Sequence, residues 1–133
     1  MKLVSIIMTC FNGERYLEKA ISSIINQTYN NWEVIFIDNN SNDKSKKIIF
    51  SFNDHRIKYF KLNKTINLGS VRNYALEKCS GEFISFLDVD DIWSKFKLEK
   101  QINTMINDNK IDVLYSNYYE FYNGSRNEIK KKL

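Results

Sequence analysis

Two runs in the chain, Leu3–Thr9 (LVSIIMT) and Trp32–Ile37 (WEVIFI), are apolar almost without interruption. A strand with one face in water alternates apolar and polar residues, whereas a strand covered on both faces has no reason to. The two runs therefore predict a parallel sheet covered by helices on both sides. The segments between and after them fit that plan. Tyr16, Leu17, Ala20, Ile21, Ile24 and Ile25 recur at helical spacing, which predicts a helix to about Gln27, entered through Asn12 as N-cap and Gly13 as a tight turn. A short second helix is expected from Lys44 to about Phe52. Ile57–Leu62 (IKYFKL) alternates and reads as a third, less buried strand. Leu68-Gly69-Ser70 opens a helix carrying Val71, Tyr74, Ala75 and Leu76, with Gly81 as its C-terminal stop. Glu82–Leu87 reads as a fourth strand. A helix from about Ser94 is expected to bury Phe96, Leu98, Ile102, Met105 and Ile106. Val113–Phe121 reads as a fifth strand, followed by a turn at Asn123-Gly124. The expected fold is α/β: a three-layer sandwich, with a mostly parallel Rossmann-like sheet and helices on both faces. Residues 1–125 form its domain and residues 126–133 a charged tail.

Composition narrows the function classes. The 133 residues carry a net charge of +4, and Lys130, Lys131 and Lys132 supply most of it. The remainder is near balance and shows no dense basic stripe, which argues against nucleic-acid binding. No apolar run reaches the length of a membrane span and the start lacks a signal-peptide pattern, so a cytoplasmic location is expected. Cys10 and Cys79 lie in apolar segments and read as free thiols. A single histidine, His55 in a polar turn, supports no Ser/His or Cys/His catalytic arrangement. There is neither a GxGxxG after the first strand nor a P-loop.

Three polar clusters, Thr9–Glu14, Asp38–Asp43 and Asp88–Asp91, fall where strands end. In open parallel sheets that edge is where ligands sit. Asp88-Val89-Asp90-Asp91 places three carboxylates in four residues. These acids either cap the next helix or clamp a hard divalent cation that shares its shell with a phosphate, and three exceed what capping needs. Asp38 either accepts from a base or ribose or forms an Asx turn. Phe11 either stacks on a base or packs into the core. Arg72, expected in the first turn of its helix, opposes the helix dipole there, so pairing with a phosphate or carboxylate is the alternative to plain exposure. A haloacid-type phosphatase carries its Asp-x-Asp on the first strand. A receiver-like domain needs acids on the first and third strands. Here the acids end the second and fourth.

In order, VSIIMTCFNGERYLEKAISSIINQTYNNWEVIFIDNNSND, NLGSVRNYALEKCSGEFISFLDVDDIW and KLEKQI resemble the nucleotide-binding half of an inverting family 2 glycosyltransferase of the GT-A fold. The resemblance covers nearly the whole chain. It implies that Thr9 and Phe11 hold the base, with Phe11 where the family often has a stacking tyrosine, and that Asn12 belongs to the nucleotide site. It implies Glu14 near the base, Asp38 on the imide, and Asn67 and Arg72 along the diphosphate. Asp88 would touch the ribose and, with Asp90, hold Mn²⁺ or Mg²⁺, with Asp91 in support. The implied donor is a nucleotide sugar, a UDP-sugar in the first instance, and the acceptor a hydroxyl on a glycan or lipid-linked acceptor in polysaccharide synthesis. The chain departs from the family in reading Asp38-Asn39 where an aspartate pair is usual. The general base is expected beyond Leu133, and Asp112 and Glu120 are not assigned to that role. The chain alone is therefore expected to bind donor rather than transfer sugar. The alternative is a catalytically inactive nucleotide-binding or assembly module. Peripheral contact at the inner face of a membrane through the lysines, and a homodimer through an unpaired sheet edge, are the association modes left open.

Overall fold

The computed structural model describes residues 1–122 and 125–129. Four strands, β1 (Val4–Cys10), β2 (Trp32–Asp38), β3 (Ile57–Lys61) and β4 (Phe83–Phe86), form one sheet in the order β3-β2-β1-β4. All three pairings are parallel. Helices α1 (Leu17–Ile25), α2 (Ser45–Ser51) and α3 (Leu68–Leu76) connect the strands, and α4 (Lys97–Asn107) follows β4. The expected parallel α/β sheet is thus present. Its register sets Cys10 opposite Asp38 and Asp38 opposite Lys61, so the polar clusters finish level at one edge.

The unbroken apolar runs have a direct cause. Ile7, Ile35 and Ile37 point to one face and pack with Val71 and Ala75 of α3. Ile6, Met8, Val34 and Phe36 alternate to the other face and are as fully buried. Right-handed crossovers put α1 and α2 on that second face, where α1 buries Leu17, Ala20, Ile21 and Ile24. Each fully buried aliphatic side chain of this kind is worth about 1.5–3 kcal/mol. β4 lies at the sheet edge, and Ile84 and Phe86 there stay 41% and 47% exposed.

At the opposite end of the sheet one carboxylate ties three strands together. Glu33 of β2 is 5% exposed. It accepts from Ser5 Oγ of β1 at 2.6 Å, from the Ser80 N–H at 2.7 Å, and pairs with Lys58 Nζ of β3 at 2.5 Å. The Gly81 N–H in turn donates to Ser5 Oγ at 2.8 Å. A Cβ on Gly81 would come within 2.5 Å of the Ser5 nitrogen and 2.8 Å of the Leu3 carbonyl oxygen. Glycine is needed there for close backbone approach and not as a helix stop, since α3 ends at Leu76.

Several element boundaries differ from the sequence reading, most by one or two residues. The N-cap of α1 is Tyr16, which makes no side-chain cap bond. Helix α4 begins at Lys97, so Phe96 precedes it and is 50% exposed, and Ile106 is 52% exposed, while Leu98 and Ile102 are buried. The expected fifth strand of the sheet is instead β5 (Tyr118–Tyr122), antiparallel to β6 (Ser125–Ile129) in a separate two-stranded sheet. Val113 and Tyr115 precede it and are 81% and 65% exposed. Residues 126–129, read as tail, belong to β6. The Asn123-Gly124 turn and Lys130–Lys132 lie outside the described residues. The chain divides into two compact units, Met1–Glu99 with the parallel sheet and Lys100–Leu133 with the two-stranded one. No helix among the described residues is long and apolar enough to cross a membrane.

Burial alone would raise the pKa of Glu33, but the bonds from Lys58, Ser5 and Ser80 outweigh it and hold the carboxyl below its usual 4.5. A depressed pKa stabilises the fold fully above that usual value, and the contribution is lost as pH falls through the folded value. Glu33→Gln should therefore be less stable than wild type in urea denaturation at pH 7. The gap should shrink on titrating from about pH 6 to about pH 3.

Candidate functional site

The connection from β1 runs outward to β2 on one side. The chain returns through α3 to place β4 on the other side of β1. In open α/β sheets a reversal of this kind marks the usual ligand crevice, here at the carboxyl ends of β1 and β4. Three loops border it, following β1, β2 and β4.

The first two loops are laced together by bonds running in both directions. The N–H groups of Asn12, Gly13 and Glu14 donate to Ser41 Oγ, Ser45 Oγ and Asp43 Oδ2 at 3.0, 2.9 and 2.9 Å. In return the N–H groups of Asn42 and Lys44 donate to Asn12 Oδ1 and Glu14 Oε2, each at 2.9 Å. The Asn39 N–H reaches the Cys10 carbonyl at 2.8 Å. Asn12 therefore does not cap α1. It sits at φ 52°, a left-handed conformation that asparagine tolerates, with its side chain spent on the facing loop. Glu14 is likewise spent on the facing loop. Burial would raise the Asp43 pKa, but hydrogen bonds from Ser45 and the Glu14 N–H more than offset it, and the carboxyl lies below its usual range. Sequence reasoning missed Ser41, Asp43 and Ser45. Asp38–Asp43 reads in the sequence as one of the polar clusters at this edge, but only Asp38 in it is given a role, and Ser45 lies beyond it.

Asp38 has no exposed surface. Its Oδ1 accepts from the Ser41 N–H at 2.7 Å and its Oδ2 from the Tyr59 hydroxyl at 2.6 Å. The Asx-turn alternative is the arrangement present, and both carboxylate oxygens have partners within the protein. Phe11 stands just past β1 and is 55% exposed, so it does not belong to the core. Thr9 is half-buried on β1 beside it.

The acidic loop is held against the first. The Leu87 N–H donates to the Ile7 carbonyl at 3.1 Å, and the Asp91 N–H to the Asp88 carbonyl at 3.1 Å, which closes a turn over Val89 and Asp90. A Cβ on Gly13 would lie 2.9 Å from Cys10 Sγ and 3.2 Å from a Val89 methyl. Gly13 thus lets the two loops touch. Asp88, Asp90 and Asp91 are all exposed. Partial burial, and then the charges of Asp90 and Asp88, push the Asp91 carboxyl above its usual pKa.

Arg72 Nη2 pairs with Asp88 Oδ1 at 3.2 Å, and the guanidinium lies 5.5 Å from the Phe86 ring. Helix α3 starts at Leu68, so Arg72 is in its second turn and not its first. The carboxylate partner, and not opposition to the dipole, accounts for its position. Asn67 caps α3 by accepting from the Ser70 N–H at 2.9 Å. Asn39 bonds both sides of the Ile66 backbone, donating to its carbonyl at 2.8 Å and accepting from its N–H at 3.0 Å. No group of three or more His, Cys, Asp or Glu side chains among the described residues is already gathered as a metal cage.

Residues 5–132 match the profile of Glycosyl transferase family 2. The chain belongs to that family. Among its curated relatives is the Escherichia coli UDP-Glc:alpha-D-GlcNAc-diphosphoundecaprenol beta-1,3-glucosyltransferase WfgD, 43% identical over 92% of this chain and 48% of the relative. The Bacillus subtilis putative teichuronic acid biosynthesis glycosyltransferase TuaG is 37% identical over 78% of this chain and 42% of its own length. The family 2 chain described here thus spans about half the length of these relatives. The crystal structure of S. aureus TarS 1–349 in complex with UDP superposes with a TM-score of 0.76 at 29% identity, over 80% of this chain and 32% of that one. The Pyrobaculum calidifontis mannosyltransferase PcManGT, in complex with GDP-Man and Mn²⁺, shares the fold with a TM-score of 0.71 at 19% identity, over 77% of this chain and 32% of that one. The fold is the GT-A type that the resemblance implied.

Gly13→Ala should cost about 1–3 kcal/mol in chemical denaturation, the usual penalty for overpacking. Adding Cys10→Ala removes the nearest obstructing atom, so the double variant should lose less than the two single losses summed. Strict additivity would show that the thiol does not set the space at residue 13.

Proposed function

We propose that this chain is the donor-binding part of an inverting glycosyltransferase that takes a UDP-sugar with Mn²⁺ or Mg²⁺. The observation that carries this reading is the acidic turn Asp88–Asp91, which lies against the Gly13 loop at the β1/β4 crevice with its three carboxylates exposed. Exposed Phe11 lies at the same edge, free to serve as a base platform worth about 1–3 kcal/mol by analogy with other stacking sites. A uridine base is favoured by the UDP held by TarS and the UDP-Glc in the name of WfgD. Arg72 on Asp88 is placed to answer phosphate charge, and Asn67 sits at the start of the same helix.

The donor set suits a hard divalent cation. Mg²⁺-type ions are commonly held by one or two carboxylates together with substrate phosphates and water, and need no complete protein cage. Asp88 and Asp90 would hold the ion, with Asp91 beside them. Burial is the first cause of the raised Asp91 pKa, and repulsion from Asp90 and Asp88, the second, is what a cation relieves. Bound there, a divalent ion neutralises charge on a departing diphosphate. The acceptor class, a glycan or lipid-linked hydroxyl, is favoured by the diphosphoundecaprenol acceptor in the name of WfgD and the teichuronic acid role in that of TuaG.

Calorimetric titration tests the reading. UDP should bind in the presence of Mn²⁺ and raise the thermal midpoint. Asp90→Asn should weaken that binding at least about tenfold, equivalent to ~1.4 kcal/mol. A chain that binds no UDP with Mn²⁺, or an Asp90→Asn variant that binds as well as wild type, would refute it.

A further inference from the structure

Tyr59 lies on β3, outside the three stretches whose residues carry the resemblance in the sequence. Its ring stacks on Phe36 at 5.8 Å and tilts against Phe50 at 5.0 Å. Those contacts explain an aromatic residue. They do not explain the hydroxyl, which donates to Asp38 Oδ2 at 2.6 Å. Asp38 has no exposed surface, so no solvent can replace that donor. The other oxygen of the same carboxylate holds the Ser41 N–H at 2.7 Å, and Ser41 Oγ holds the Asn12 N–H at 3.0 Å. Asn12 is next to Phe11 and sits at a left-handed φ of 52°, so the bond from its N–H to Ser41 Oγ bears on the backbone that carries Phe11.

We propose that Tyr59 is a positioning residue of the nucleotide site, acting through Asp38 and Ser41 to fix the backbone that presents Phe11. The proposal rests on the nucleotide-binding reading above. It assigns Asp38 to the frame of the base site and not to the base. The chain of bonds ends at the base side of the crevice, whereas Asp88 and Arg72 are joined to each other independently of it. Disturbing Tyr59 should thus blur base recognition. Burial and the bond to Asp38 also keep the Tyr59 hydroxyl protonated well beyond its usual range, so the donor persists at every working pH.

Tyr59→Phe keeps the ring and removes only the donor. The readout is the UDP:GDP affinity ratio with Mn²⁺, measured by competition below the unfolding temperature. The expected result is about a tenfold narrowing of that ratio, the scale of one lost bond to a buried charged group. An unchanged ratio in a folded Tyr59→Phe chain would overturn the proposal, because simple packing loss does not alter base preference. If Tyr59→Phe does not fold, Ser41→Ala cuts the same chain nearer the site. It should narrow the ratio likewise, and an unchanged ratio there would be equally fatal. A wild-type chain that bound neither nucleotide would overturn the nucleotide reading and this proposal together. Wild-type preference that survives both variants would overturn this proposal alone.

Discussion

Where β1 and β2 end, their ladder ends too, and the amide groups of two loops lose their strand partners. The buried Gly13 N–H must find an acceptor, and leaving it without one costs about 1–3 kcal/mol, while the exposed N–H groups of Asn12, Glu14, Asn42 and Lys44 take side-chain acceptors in place of water. Short polar side chains from each loop meet this need by accepting from the other loop. The edge of the sheet therefore continues as a sewn double loop instead of fraying into water. The rest of the candidate site hangs on this seam. It sets the height of Phe11, the left-handed turn at Asn12 and the glycine gap into which the acidic turn packs.

Charge is arranged separately from shape. The carboxylates of the acidic turn face outward and crowd one another, while Arg72 reaches across from α3 to one of them. Both members of that pair are well exposed, and such pairs are worth about 0–1 kcal/mol. A contact this weak neither locks the site nor holds a charge that an incoming diphosphate or cation could not rearrange.

The sheet could be read from the chain because its cause is local and strong. Val4–Cys10 and Trp32–Asp38 must be covered on both faces, and only a few topologies do that. The site residues could be located but not given their tasks. Asp38, Asn12, Glu14 and Asn67 were legible as polar groups at strand ends. Whether Asn12 and Glu14 face a ligand or another loop depends on partners some thirty residues away, which spacing does not encode. Tyr59 was invisible for the same reason, since its hydroxyl meets Asp38 only across the β2–β3 pairing. The fifth strand was misplaced because an aromatic-rich run suits a hairpin as well as a sheet member.

The different make-up of seam and charge carries a consequence for conditions. The seam consists of short, directed bonds between adjacent loops, whose strength depends on contact geometry more than on long-range charge. The Arg72–Asp88 pair is open to solvent and lies within the range over which ordinary salt screens. Raising ionic strength should therefore dim the electrical field of the crevice while its contour stays as it is. Salt thus offers a way to separate what this edge recognises by form from what it recognises by charge.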